Sequence, residues 1–116
     1  MFEYVATVVR VIDGDTVAVD LQLGFSVSLR QSCRLAGLNA RELHAEGGGE
    51  ARDHLAGLLG PVVTVRSVRL DKFAGRFDGV IVSGGVNVNE RMIADGYAAA
   101  WDGSGVRPVP VWPIGA

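Results

Sequence analysis

Two carboxylates one residue apart, in the stretch VIDGDTV from Val11 to Val17, are the residues here whose types and spacing first suggest chemistry. Asp-Gly between runs of alternating hydrophobic residues is a hairpin signal, because such a turn needs a positive φ that glycine supplies. That reading uses Asp13 and Gly14 and leaves Asp15 unexplained, since a second carboxylate so close adds repulsion. Two carboxylates at one turn also suit a hard cation. On these residues alone both readings stand.

Arginine is the other chemically loaded residue type, with Lys72 the single lysine. Its planar fork binds phosphate in a bidentate way that lysine cannot match, although a genomic bias toward arginine codons explains the same excess. The lone cysteine, Cys33, falls on an apolar strand face and reads as a small core hydrophobe without a chemical role. His44 lies in a polar loop and His54 off the apolar stripe of a helix; neither receives an assignment.

These residues need elements to hold them. Phe2 to Ile12 is valine-rich and predicts a strand up to the Asp-Gly turn. Thr16 to Leu23 alternates, with Val17, Val19, Leu21 and Leu23 on one face. After Gly24 the alternation resumes, placing Phe25, Val27, Leu29, Cys33 and Leu35 inward and Arg30 and Arg34 outward. NARELHAEGGG predicts a loop. EARDHLAGLLG then carries Ala51, Leu55, Leu58 and Leu59 on one helical stripe, stopped by Gly60 and Pro61. VVTVRSVRL and FDGVIVS predict two further strands flanking a turn in DKFAGR. A second helix follows in NVNERMIADG, capped by Asn87 with Glu90 three residues on and closed by Gly96, burying Val88, Met92 and Ile93. Five short strands with two helices predict an α+β domain over residues 1–101, of which a small OB-type barrel is the closed form. Residues 102–116 form a proline-rich tail, predicted extended, with Trp112 pinning it to the body.

At 116 residues, 48% hydrophobic and 21% charged, the chain has the make-up of one folded domain and not of a disordered segment. A net charge of −2 argues against gripping nucleic acid by bulk electrostatics, but not against handling one phosphate where a bound cation adds local positive charge. The N-terminus reads directly as a strand and no apolar run approaches a membrane span. The expectation is a cytoplasmic monomer.

VIDGDTV, RLAGLNARE, a glycine followed by an alanine-containing helix, DKFAGR and VNERMIADGYA, in that order and at compatible spacing, resemble the staphylococcal nuclease (thermonuclease) family over about Val8 to Ala98. The resemblance implies a five-stranded OB barrel and a Ca2+-dependent endonuclease that hydrolyses phosphodiesters of DNA or RNA and leaves 3′-phosphates, as a small intracellular or phage-type member. By motif position it implies Asp15, Asn39 and the Ala40 carbonyl as metal ligands. Glu42 falls on the general base, and Arg34 and Arg76 on the arginines that hold the phosphate. Lys72, Phe73 and Tyr97 are the candidate substrate contacts.

Four departures accompany the resemblance. Asn39 stands where an aspartate is usual, which removes a ligand charge and predicts weaker Ca2+ binding, or use of Mg2+ or Mn2+; Asn39→Asp is then expected to tighten Ca2+. Arg41 replaces a proline before Glu42, freeing φ and placing a cation beside the base. DKFAGR is one residue longer than usual, with Phe73 in place of tyrosine. The tail replaces a long C-terminal helix. The alternatives are a nucleic-acid-binding barrel impaired in catalysis, and a protein-interaction module using RPVPVWP in an aromatic groove.

Overall fold

The computed structural model describes residues 2–70 and 75–116. Strands β1 (Glu3–Asp13), β2 (Thr16–Gly24) and β3 (Val27–Leu35) form an antiparallel meander. A short strand β4 (Leu38–Ala40) leads into helix α1 (Gly48–Leu58), and β5 (Val62–Leu70) and β6 (Arg76–Ser83) follow as a second antiparallel pair. Then come β7 (Val86–Asn87), α2 (Val88–Ala94) and β8 (Ala98–Ala100).

β1 pairs with both β2 and β5, and β3 pairs in parallel with β6, so β1-β2-β3-β6-β5 closes on itself. The result is a closed five-stranded barrel with two short helices, an OB-like α+β fold. Closure leaves those strands no continuous free edge, which suits strands of 8 to 11 residues. β4 and β8 form a separate two-stranded ribbon beside it.

Val17, Val19, Cys33, Leu35, Val65, Ile81 and Met92 are fully buried in one core that also takes Leu55 from α1. Burial pushes the Cys33 thiol up to about 12, as its reading as a core hydrophobe requires. Asn87 caps α2, its side chain accepting from the Glu90 N–H at 3.0 Å, and Gly96 closes the other end at φ +85°.

The distal half of the β2–β3 hairpin departs from the alternation read in the sequence. Leu23, Val27 and Leu29 are roughly half exposed and Phe25 is fully exposed. Among the described residues no layer packs over that end of the hairpin, so alternation there does not translate into burial. Its tip is also the place where two non-glycine residues, Phe25 and Ser26, take positive φ. No described helix is long and apolar enough to cross a membrane.

Candidate functional site

The turn that joins β1 to β2 works differently from its sequence signature. The Asp15 N–H donates to Asp13 Oδ1 at 3.1 Å, so the Asp13 carboxylate closes the turn in the manner of an Asx turn. Gly14 does not take a positive φ. Its requirement is space: a Cβ there would stand 2.8 Å from both the Ala40 and Ala51 side chains. The turn is therefore clamped between β4 and α1, and Asp15 is held against the end of β4.

Asp15 is buried. Oδ2 accepts from the Ala40 N–H and Oδ1 from the Thr16 hydroxyl, each at 3.1 Å, while Arg34 Nη2 lies 3.8 Å from Oδ2. Burial first, and then the hydrogen bond and charge of Asp13, push its acid up to about 6, against the pull of Ala40 and Arg34. An acid in that state is short of positive charge.

The two arginines come together through strand register. Thr16 lies opposite Arg34, and in the parallel β3–β6 pair Ser32 meets Arg76 and Arg34 meets Asp78. Opposite residues share a face, so Arg34 and Arg76 stand diagonally on the outer face while Cys33, Leu35 and Phe77 fill the core. Arg34 also lies over the Trp101 ring, 5.8 Å from its centroid. Its ion pair is to Asp15. Asp78 takes Arg69 at 2.7 Å.

Glu42 is set by the glycine-rich loop. A Cβ at Gly48 would collide with the Glu42 carbonyl oxygen, and Gly47 sits at φ +83° beneath the Trp112 ring, 2.6 Å from its Cδ2 if a Cβ were added. The Ala45 N–H donates to the Glu42 carbonyl at 3.0 Å. Two glycines thus let the loop fold back on the start of α1 and fix the Glu42 backbone, with its side chain exposed.

Asp13, Asp15, Arg34, Asn39, Ala40, Glu42 and Arg76 line one pocket of about 380 Å³, together with Arg41 and Arg107. Among the described residues no three His, Cys, Asp or Glu side chains group as a metal site. A cation here would rest on the Asp15 carboxylate with the neutral oxygens of Asn39 and Ala40. These all-oxygen donors suit a hard cation, and the raised acid of Asp15 is what such a charge would relieve. The set fits a weakly held Ca2+ or Mg2+.

Asn39 and Arg41, two of the residues at which the sequence departs from the resemblance drawn above, both hold the C-terminal segment. Asn39 Nδ2 donates to the Pro108 carbonyl at 2.8 Å, and Arg41 Nε donates to the Pro110 carbonyl at 3.0 Å. Arg41 Nη1 also donates to the Glu46 carbonyl at 3.1 Å. An aspartate at 39 would add charge but could not donate to Pro108, so Asn39→Asp trades this tie for ligand charge.

Tyr97 does not line the pocket. It stacks on His54 with centroids 4.1 Å apart and approaches Trp112 at 6.3 Å. Lys72 and Phe73 lie outside the described residues. Sequence reading missed Arg107 and Trp101 at the site; a tryptophan six residues before an arginine gave no periodic signal to find them. The chain matches no protein-family model and no curated protein.

Proposed function

We propose that this chain is a metal-dependent phosphodiesterase of the thermonuclease type, hydrolysing DNA or RNA with Glu42 as general base and Arg34 and Arg76 holding the phosphate. One observation carries the reading. Residues singled out from separate motifs, in the β1–β2 turn, on β3, on β4, in the loop after it and on β6, line a single pocket.

In that pocket the two guanidiniums bind the non-bridging phosphate oxygens, whose charge grows as attack proceeds, so they stabilise the transition state more than the ground state. Glu42 takes a proton from the attacking water as its oxygen bonds to phosphorus. The phosphorus–O5′ bond breaks, the 5′ oxygen takes a proton from solvent, and the 3′ side keeps the phosphate. A cation bound by Asp15, Asn39 and Ala40 would supply charge that orients the phosphate and polarises it.

A second reading, a nucleic-acid-binding barrel impaired in catalysis, is favoured by one feature. Asn39 brings no ligand charge and is tied to Pro108.

Cleavage of an end-labelled single-stranded oligonucleotide, with Ca2+ and with a chelator, separates the two. The expected result is metal-dependent cleavage leaving 3′-phosphates, reduced by at least roughly 100-fold in Glu42→Gln with an unchanged circular dichroism spectrum. Near-normal cleavage by Glu42→Gln would remove Glu42 as the base. Binding without cleavage in any divalent ion would establish the impaired barrel.

A further inference from the structure

The C-terminal segment runs beside the pocket and is tied to the barrel side at three points: Pro108 to Asn39, Pro110 to Arg41, and the Trp112 ring over Gly47. Beside the first of these ties stands Arg107, which lines the pocket together with Arg34 and Arg76. Its guanidinium lies 5.1 Å from the centroid of the Trp101 ring, the ring that Arg34 also approaches. Trp101 is itself fixed to the barrel, its backbone N–H donating to the Gly37 carbonyl at 2.9 Å and its indole N–H to the Ser104 carbonyl at 2.8 Å. Held over a π face, Arg107 is oriented without being neutralised. Among the described residues it has no carboxylate partner.

Arg107 also lines an adjoining cavity of about 230 Å³ that shares Asn39, Ala40, Arg41 and Glu42 with the first and adds Val109, but that Arg34 and Arg76 do not reach. The two cavities thus adjoin across shared residues, with the paired arginines on one and Arg107 bordering both. A guanidinium at that border suits a second anion spaced along a chain.

We infer that Arg107 binds the phosphate flanking the one held by Arg34 and Arg76, so that this site grips a strand at a second phosphate beyond the reacting one. This rests on the reading of the pocket as a phosphodiester site. Arg107 belongs to a segment with no counterpart in the barrel and is a substrate-binding residue, not one that acts on the reacting atoms. An exposed arginine can be replaced without risk to the core.

The test measures binding of a fluorescent single-stranded oligonucleotide by anisotropy over a salt series, for the wild-type chain, Arg107→Gln and Arg107→Lys. It is paired with steady-state hydrolysis of the same strand unlabelled and of bis(p-nitrophenyl) phosphate, which carries a single phosphate. Arg107→Gln should weaken oligonucleotide binding about tenfold and lower the slope of log affinity against log salt by about 0.7, the value for one phosphate contact on a single strand. Arg107→Lys should keep the slope. The ratio of kcat/KM for the oligonucleotide to that for the small diester should fall about tenfold in Arg107→Gln.

An unchanged affinity and slope in Arg107→Gln would overturn the assignment. Equal losses on the two substrates would also overturn it, by placing Arg107 on the reacting phosphate. If the wild type binds the strand but cleaves neither substrate, the nuclease reading fails by itself, and the slope still decides Arg107. A wild type that binds no oligonucleotide would overturn both.

Discussion

Asp15, buried in the turn after β1, and Asp95, half-buried just past α2, are carboxylates that their neighbours treat oppositely. Asp95 follows α2 and sits between His54 Nε2 at 2.7 Å and Arg91 Nε at 3.0 Å. The hydrogen bond from His54, and then the bond and charge of Arg91, hold its acid below the usual aspartate value. Asp15 has its nearest guanidinium at 3.8 Å, another carboxylate two residues away, and an acid raised to about 6. One region completes its electrostatics from within. The other leaves a buried charge under-compensated, which costs stability and is the arrangement found where a cation or a reacting group is to be received.

The sharpest way to break this comparison is Asp15→Asn. With the folded acid raised from 3.8 to about 6, the folded state binds more protons than the unfolded one across that window. Stability therefore falls as pH rises from about 4 to 6, by an amount on the order of 3 kcal/mol, and stays lost above it. Asparagine keeps an acceptor for the Ala40 N–H and removes the charge. In chelator at pH 7, urea denaturation should show Asp15→Asn more stable than wild type by roughly 1–2 kcal/mol, with the gain vanishing near pH 4. Oligonucleotide cleavage should fall by at least roughly 100-fold in the same variant. A variant that is both less stable at pH 7 and still active would mean that Asp15 serves only the turn.

The backbone on the site side is held by close approach, and Gly48→Ala tests that. Its Cβ would run into the Glu42 carbonyl, so the loop must shift, costing roughly 1–3 kcal/mol in thermal or urea denaturation. Because the shifted atom belongs to Glu42, kcat should fall while oligonucleotide affinity holds. An equal fall in affinity would show that the loop positions substrate and not the base.

How much of this was legible beforehand follows the same division. Period-two alternation located the strands wherever two layers meet, as at Val17, Val19, Cys33 and Leu35, and failed at Phe25 and Val27, where the hairpin outruns the barrel. Gly14 was legible as an essential glycine, but for φ; its real constraint is the approach of Ala40 and Ala51, which lie 26 and 37 positions away in sequence and leave no local mark. Motif order placed Asp15, Asn39, Glu42, Arg34 and Arg76 around one pocket. It could not place Arg107, because what brings that residue in is a set of hydrogen bonds from Asn39 and Arg41 to proline carbonyls, and backbone acceptors carry no residue signature.

The smallest effect belongs to the self-contained region. Asp95→Asn removes a charge that is partly exposed and screened, so the loss should be no more than about 1 kcal/mol. The sign with pH is opposite to that of Asp15. An acid held below its unfolded value stabilises the fold above about pH 4, and that contribution disappears as pH falls through the lowered folded value. Wild type and Asp95→Asn should therefore differ slightly in Tm at pH 6 and converge once the pH has fallen through the lowered folded value, while oligonucleotide cleavage stays at the wild-type rate. His54 stacks on Tyr97, and Tyr97 faces the Trp112 ring that covers Gly47 in the Glu42 loop. If Asp95→Asn slowed cleavage, that chain of ring contacts would have to carry the effect to Glu42, and the two regions would be one.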